Sequence, residues 1–139
     1  PLLSIAGFGE AAKCINIEKM IKVKKIKEHF EKKLKSINLG IEIIGENSNR
    51  LPNTFMMFVP GIKADTLLIA LDLEGFEVST GSACSSGKAE PSAVLVKMGF
   101  SKTIANGVIR ISLGYDNTLK EVDKFILCLI KIIKRIRRI

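Results

Sequence analysis

The chain has 139 residues, of which 47% are hydrophobic. This is enough for one compact domain with its own core and excludes a disordered tail. The formal net charge of +8 is compatible with nucleic acid, an anionic membrane surface, an acidic protein partner or simply a lysine-rich composition. The densest apolar stretch, 125–139, is interrupted by lysine and arginine residues, so we expect no membrane span, which needs about 18 apolar residues in a row.

The cysteines are few and widely spaced. Cys14, Cys84 and Cys128 are odd in number and His29 is the only histidine, a pattern that indicates neither a disulfide framework nor a zinc site. We therefore expect a reducing, cytoplasmic compartment. No signal-peptide pattern opens the chain, and Pro1 in place of methionine leads us to expect a cut end.

The first half alternates between helical and strand patterns. Apolar residues recur at intervals of three and four over 15–37, which predicts a long amphipathic helix that ends near Gly40. The β-branched run at 41–44 predicts a short strand. The apolar run at 55–59 lies between turn residues, which predicts a central strand buried on both faces.

A second helix is expected next, with Asp65 as its N-cap and Gly75 at its end. Its inward-facing residues are predicted to be Leu67, Leu68, Leu71 and Leu73. A short strand follows at 76–79. Residues 80–87 are all small, so they cannot fill a core, and we expect a mobile loop.

The remaining segments continue this alternation. A helix is predicted at 93–98, with Pro91 in its first turn and Gly99 at its end, followed by a strand at 108–113. Neither an internal repeat nor a linker interrupts the order of elements. We expect one domain over residues 1–139, of α/β (α+β) class, with a small mixed or antiparallel sheet flanked by helices.

The last helix carries the clearest local signals. Thr118 and Glu121 have the spacing of a capping box. The residues that it is expected to bury are Val122, Phe125, Ile126, Leu129 and Ile133. Its basic residues, like those of 19–35, alternate with apolar ones, which favours solvated helix faces over a nucleic-acid site. The aromatic residues are Tyr115 and seven Phe, mostly in apolar runs, so no stacking platform is evident.

Cys84 differs from the other cysteines because it lies in the small-residue loop, where a partner could reach a thiolate. Cys14, near the opening helix, and Cys128, within an apolar stretch, are expected to be structural, because a free cysteine in such surroundings behaves as a small hydrophobe. Composition alone leaves open whether Cys84 has a function.

The sequence around Cys84 resembles a known pattern. Residues 79–87, STGSACSSG, followed by Glu90-Pro91-Ser92, resemble the active-cysteine loop of the NifS- and IscS-like cysteine desulfurases of aminotransferase class V. Other segments resemble the successive motifs of that family in the same order: GFGEAA at 7–12, RLPNT at 50–54, VPG at 59–61, LLIALD at 67–72 and IRISLG at 109–114. The resemblance covers nearly the whole chain and implies the C-terminal small domain of a fold-type I pyridoxal phosphate enzyme.

The resemblance implies roles for four residues. In the family, a loop cysteine accepts sulfur from L-cysteine as a persulfide and alanine leaves, for iron–sulfur cluster assembly, and Cys84 matches that catalytic residue. Arg110 matches the arginine that binds the substrate carboxylate. Gly81 and Gly87 are the expected loop hinges. No metal site is expected, because one cysteine supplies at most one ligand, although Cys84 could share a cluster with a scaffold.

The family's cofactor lysine belongs to a large domain that matches no part of this chain. The resemblance therefore implies that pyridoxal phosphate belongs to the complete enzyme and is not bound by this chain alone. The implied partners are a large domain or second subunit, L-cysteine, and an iron–sulfur scaffold or other sulfur acceptor, with a homodimer as the complete enzyme. We expect neither a nucleic acid nor a membrane as partner.

Two functions stay open at this point. The chain is either the C-terminal part of a desulfurase, split or truncated and incomplete as a catalyst by itself, or a non-catalytic docking module whose basic helix faces an acidic scaffold or sulfur acceptor. Whether it acts as an enzyme is thus undecided. In either case we expect exposed apolar surface, because faces that contact a large domain or a second subunit would be bare.

Overall fold

The computed structural model describes residues 1–81 and 91–138. Within these ranges the chain forms six helices and four strands. The elements are α1 (Leu2–Lys13), α2 (Ile17–Ser36), β1 (Glu42–Ile43), β2 (Thr54–Phe58), α3 (Ala64–Leu73), β3 (Ser79–Thr80), α4 (Ala93–Lys97), α5 (Lys102–Gly107), β4 (Val108–Ser112) and α6 (Leu119–Arg137). None of these helices has the length and apolarity needed to cross a bilayer.

The strands form one antiparallel sheet in the order β1-β2-β4-β3. Its centre is the β2–β4 pair, in register from Thr54 opposite Ser112 to Phe58 opposite Val108. The short β3 pairs with β4 through Ser79, which lies opposite Arg110. The predicted class, a small antiparallel sheet flanked by helices, is confirmed.

The main core lies between one face of the sheet and the helices α2, α3 and α6. Phe30 of α2 stands at its centre, with its ring 5.1 Å from that of Phe55 and 5.0 Å from that of Phe125, both edge to face. Such aromatic pairs contribute about 0.5–1.5 kcal/mol beyond their buried area. The sheet and two long helices are thereby joined at one point.

A smaller apolar cluster lies on the opposite face, where α4 and α5 cover one end of the sheet. Gly107 ends α5 directly against β2, and a Cβ at this position would come within 2.5 Å of the Phe58 ring. Only glycine allows this close approach. The other end of this face is described below, because it carries the candidate site.

Several sequence predictions are confirmed by these elements. α2 follows the predicted apolar period, and the Asn16 side chain caps it by accepting from the Lys19 N–H at 2.8 Å. Both bonds of the Thr118–Glu121 capping box form, and all five residues predicted to be buried in α6 are buried. The turns after α3 and α4 use Gly75 and Gly99 with positive φ.

Other predictions are wrong in detail. The N-cap of α3 is Lys63, and Asp65 lies in the first turn, where its charge favours the positive end of the helix dipole. Leu73 is 82% exposed, because six residues at 100° each carry it off the face that Leu67 occupies. Ser92 is the N-cap of α4, so Pro91 lies one residue before the N-cap and not in the first turn.

Two elements differ from the predicted ones. α5 was not predicted, because 102–107 is too short to show an apolar period and only Ser101, its N-cap, marks its beginning. β3 is Ser79–Thr80 rather than 76–79, because Phe76 and Val78 pack against the main core ahead of the strand pairing.

Candidate functional site

The sheet face opposite α2, α3 and α6 has two parts. At one end Phe58 and Val108 are buried beneath α4 and α5. At the other end the side chains that alternation directs to the same face are exposed or half-buried. We call this region the open face, and its residues are Thr54, Met56, Ser79, Arg110 and Ser112.

Arg110 lies in the middle of the open face. The strand register places it between Met56 on β2 and Ser79 on β3. Its Nη2 donates to the Ser79 Oγ at 3.4 Å, which occupies one of the five guanidinium donors. Among the described residues no carboxylate forms an ion pair with Arg110. The exposed guanidinium therefore retains donors for an external anion.

Two hydroxyl groups, one on β2 and one on β4, lie on the open face two residues along the strand pair from Arg110. The Oγ1 of Thr54 and the Oγ of Ser112 are 3.3 Å apart in a cross-strand pair. The pairing continues to Leu113, whose N–H donates to the Asn53 carbonyl at 2.8 Å. The open face thus combines one cation with two neutral hydrogen-bonding groups on a rigid pair of strands.

The described residues on either side of 82–90 lie close together. The Gly81 N–H donates to the Val108 carbonyl at 3.1 Å, and the Ser92 N–H donates to the Ala105 carbonyl at 3.4 Å. A Cβ on Gly81 would be 3.7 Å from the Ser92 Cβ. Gly81 and Ser92 are therefore both held against α5 and the start of β4.

Some of the predicted site residues lie within the described ranges, and others do not. Arg110 and Gly81 are described, and Ser79 connects them, because it contacts Arg110 and belongs to β3, which ends directly before Gly81. Cys84 and Gly87, with Glu90, lie outside the described residues. Ser92 caps α4, accepting from the Leu95 N–H at 3.5 Å.

A buried charged cluster was missed by the sequence reading. Nη1 and Nη2 of Arg50 donate to the two carboxylate oxygens of Glu31 at 2.6 and 3.0 Å, and Lys27 Nζ donates to the Leu51 carbonyl at 2.7 Å. Lys27 and Glu31 are only 5% and 9% exposed. The available signal was their spacing, because both follow Val23 by multiples of four on the apolar stripe of α2.

Burial lowers the pKa of Lys27, with the Glu31 carboxylate opposing this shift. A lowered amine pKa is the property required of a lysine that forms a Schiff base. Lys27, however, belongs to α2, on the side of the sheet opposite the open face, and its amine holds the segment that leads into β2. We therefore assign it a structural role.

The other two cysteines differ from each other. Cys128 is half-buried and packs against the main core, and burial raises the pKa of its thiol, as expected for a structural cysteine. Cys14 is exposed at the end of α1, so the prediction that it packs as a small hydrophobe is wrong. The physical reason is that α1 buries none of its residues.

No metal centre is evident in the part of the chain that the structure describes, because no three His, Cys, Asp or Glu side chains there come close enough to hold an ion.

Comparisons with known proteins agree with the fold and the sequence motifs. The family model described as aminotransferase class-V matches residues 1–125. The cysteine desulfurase IscS of Dictyoglomus turgidum is 33% identical over 138 residues, which are 97% of this chain and 35% of that protein. A cysteine desulfurase of Nostoc sp. is 36% identical over 136 residues, or 96% of this chain and 34% of that protein.

Solved structures give the same result. The X-ray structure of a NifS-like protein from Rickettsia africae superposes with a TM-score of 0.70 at 37% identity, covering 83% of this chain and 29% of that one. A second NifS-like protein gives a TM-score of 0.68 at 34% identity. The chain spans about a third of the length of the curated relatives it matches. The chain therefore belongs to the aminotransferase class-V family, and the relatives that it matches include cysteine desulfurases.

Proposed function

We propose that this chain forms the C-terminal part of a cysteine desulfurase, in which Cys84 accepts sulfur from L-cysteine and Arg110 binds the carboxylate of that substrate. The observation that carries the proposal is the position of Arg110: an exposed arginine on the open face, next to the strand that leads into the Cys84 loop. The similarity to cysteine desulfurases over nearly the whole chain supports the same assignment.

Arg110 suits a carboxylate because a planar guanidinium donates two parallel hydrogen bonds to the two oxygens. Its backbone is held on both sides, by β2 and by β3, and the Ser79 hydroxyl restricts its side chain. A binding group on a rigid strand is positioned more accurately than one on a loop. The hydroxyls of Thr54 and Ser112 provide further polar contacts beside it.

The proposed nucleophile is close in sequence to the strand that contacts this anchor. Cys84 follows Gly81 by three residues, and a chain of that length reaches about 10 Å at most. The proposed reaction transfers the sulfur atom of L-cysteine to the Cys84 thiol: the carbon–sulfur bond breaks, a sulfur–sulfur bond forms, and alanine and the Cys84 persulfide are the products. Gly81 and Gly87 are proposed as the hinges that let Cys84 carry the sulfur to an acceptor.

The family is dependent on pyridoxal phosphate, which withdraws electrons from its bound substrate. The described residues of the open face include no lysine, and the lysine with a lowered pKa, Lys27, is on the other side of the sheet. The residues present therefore do not fit the cofactor by themselves. We propose that a large domain holds it, on a separate polypeptide or elsewhere in a longer one.

The surface of α1 supports such a partner. None of its residues is buried, and Leu2, Leu3, Ile5 and Phe8 are between 65% and 89% exposed. Contiguous apolar surface of this kind marks an interaction site. We propose that this helix packs against the large domain or a second subunit, in a homodimer that works in the reducing cytoplasm and passes sulfur to an iron–sulfur scaffold or another acceptor.

A second candidate function is a docking module without catalysis, which binds a sulfur acceptor or scaffold. The observation that favours it is a basic groove on the helical side of the domain, described in the next subsection. Cys84→Ser distinguishes the two functions. If the chain is part of a desulfurase, this variant abolishes sulfur transfer; if the chain is a docking module, its binding function is unchanged.

The test combines this chain with a separately expressed large domain of a class-V desulfurase, pyridoxal phosphate and L-cysteine, and measures the release of alanine. The proposal predicts turnover by the mixture that is lost with Cys84→Ser and kept with Cys14→Ser, the matched control at an exposed cysteine. If a folded, cofactor-loaded large domain gives no turnover with this chain, the docking module is favoured instead.

A further inference from the structure

A groove with exclusively basic ionisable groups lies between α2 and the first turn of α6. Its volume is about 640 Å³, within the range of about 300–1,000 Å³ that ligand sites occupy. The side chains that matter for its chemistry are Lys22, Lys25, Ile26, His29, Leu119 and Lys120. The groove is on the side of the sheet opposite the open face.

The positive charge of the groove is not neutralised by neighbouring carboxylates. Lys22, Lys25 and Lys120 are exposed and form no ion pair within residues 1–81 and 91–138. Two carboxylates of α6 lie nearby: Glu121 accepts from the Thr118 N–H at 2.7 Å, and Asp123 accepts from Lys33 Nζ at 2.6 Å and lies 3.5 Å from His29 Nε2. Three lysines from two helices thus face solvent around one depression.

The floor of the groove is apolar. Ile26 is buried beneath the lysines, and Leu119 is 49% exposed at the start of α6. Burying such a leucine against a partner removes apolar surface from water and thereby stabilises a complex. Cations around an apolar floor fit a ligand with the opposite arrangement, an apolar side chain flanked by carboxylates.

We propose that this groove binds an acidic segment of a partner protein, which inserts an apolar side chain against Ile26 and Leu119 between the lysines. A nucleic acid fits less well, because the groove contains no aromatic side chain on which bases could stack. A flat anionic membrane fits less well, because the apolar floor is recessed between two helices. The inference does not depend on the sulfur chemistry of Cys84.

The experiment measures the affinity of this chain for a fluorescent peptide of alternating Glu and Leu, by anisotropy at fixed ionic strength. The double variant K22E/K25E is expected to bind about tenfold more weakly or worse. The matched control is K97E/K102E, which has the same net charge but changes exposed lysines on the α4–α5 side of the sheet. It is expected to bind like the parent chain.

Further arms test the apolar contact and the class of partner. Leu119→Ser removes the apolar contact from the groove, and a peptide of alternating Glu and Ser removes it from the ligand. Each should weaken binding, because the apolar contact is lost while the charge is unchanged. Cys84→Ser should have no effect, which separates this inference from the proposed catalysis. Circular dichroism checks that each variant is folded.

The proposal is overturned if the peptide does not bind, or if K97E/K102E weakens binding as much as K22E/K25E, because attraction by overall charge then suffices. It is also overturned if a DNA oligonucleotide or vesicles of anionic lipid bind more tightly than the peptide and lose that binding in K22E/K25E.

Discussion

The guanidinium of Arg110 donates to the hydroxyl of Ser79 at 3.4 Å, across the pairing of β4 with β3. This contact connects the proposed carboxylate anchor to the strand that continues through Gly81 into the Cys84 loop. Arg110 and the residues directly before Gly81 therefore belong to one sheet. Substrate binding and nucleophile delivery, as proposed, share this structural support.

Arg110→Lys tests the anchor. Lysine keeps the charge but loses the two parallel donors, so we expect the KM for L-cysteine in the reconstituted enzyme to rise about tenfold or more. Stability should not change, because the side chain is exposed. Arg135→Lys, at an exposed arginine of α6, is the control. Equal KM values for the parent and Arg110→Lys would contradict the proposal that Arg110 binds the substrate carboxylate.

Glu31→Gln tests the buried pair with Arg50. The amide cannot accept two charged hydrogen bonds, and the Arg50 guanidinium is left without its counter-charge, so we expect a loss of about 3 kcal/mol in the free energy of unfolding. Urea denaturation measures it. Glu28→Gln, in an exposed pair with Lys24, should change stability very little. Similar losses in the free energy of unfolding for both variants would contradict the prediction that the buried pair stabilises the fold more than the exposed pair.

Gly107→Ala tests the close packing of α5 on β2. The added Cβ would lie 2.5 Å from the Phe58 ring, and relieving this overlap should cost about 1–3 kcal/mol of stability. Gly7→Ala in α1 is the control, because its Cβ would meet nothing within 4 Å and alanine favours a helix. A Gly107→Ala variant as stable as the parent would contradict the described contact.

Asp123 provides a prediction on pH. The hydrogen bond from Lys33 lowers the pKa of this carboxyl below its usual value, with His29 adding to the effect. A carboxyl with a lowered pKa in the folded state stabilises the fold above its unfolded pKa of about 3.9, and this contribution is lost as the pH falls through the folded pKa. Asp123→Asn should therefore be less stable than the parent at neutral pH, with the difference shrinking below about pH 4. A difference independent of pH would contradict this assignment.

The sequence was most informative where the signal is local. The capping box of Thr118 and Glu121 and the apolar period of α2 depend on residues a few positions apart, and both were predicted correctly. The positions of Asp65 and Leu73 in α3 were predicted wrongly. The residue at which α3 begins depends on how the chain leaves the turn at Gly61, and helix propensity does not determine that residue.

The site depends on longer-range relationships. The pattern around Arg110 indicated a strand, but its contact with Ser79 follows from the β3–β4 register, which the sequence alone does not specify. The pairing of Arg50 with Glu31 likewise joins a loop to a helix. The family resemblance named Cys84 and Arg110, whereas the basic groove required the packing of α2 against α6.

Locating the transferred sulfur atom tests whether Cys84 is the residue that accepts it. The chain, reconstituted with a large domain and pyridoxal phosphate, is treated with L-cysteine, digested without reductant and analysed by mass spectrometry. The proposed reaction predicts one added sulfur atom on the peptide that contains Cys84, and none on those containing Cys14 or Cys128. Alanine release with the added sulfur on Cys14, or with none on Cys84, would contradict it.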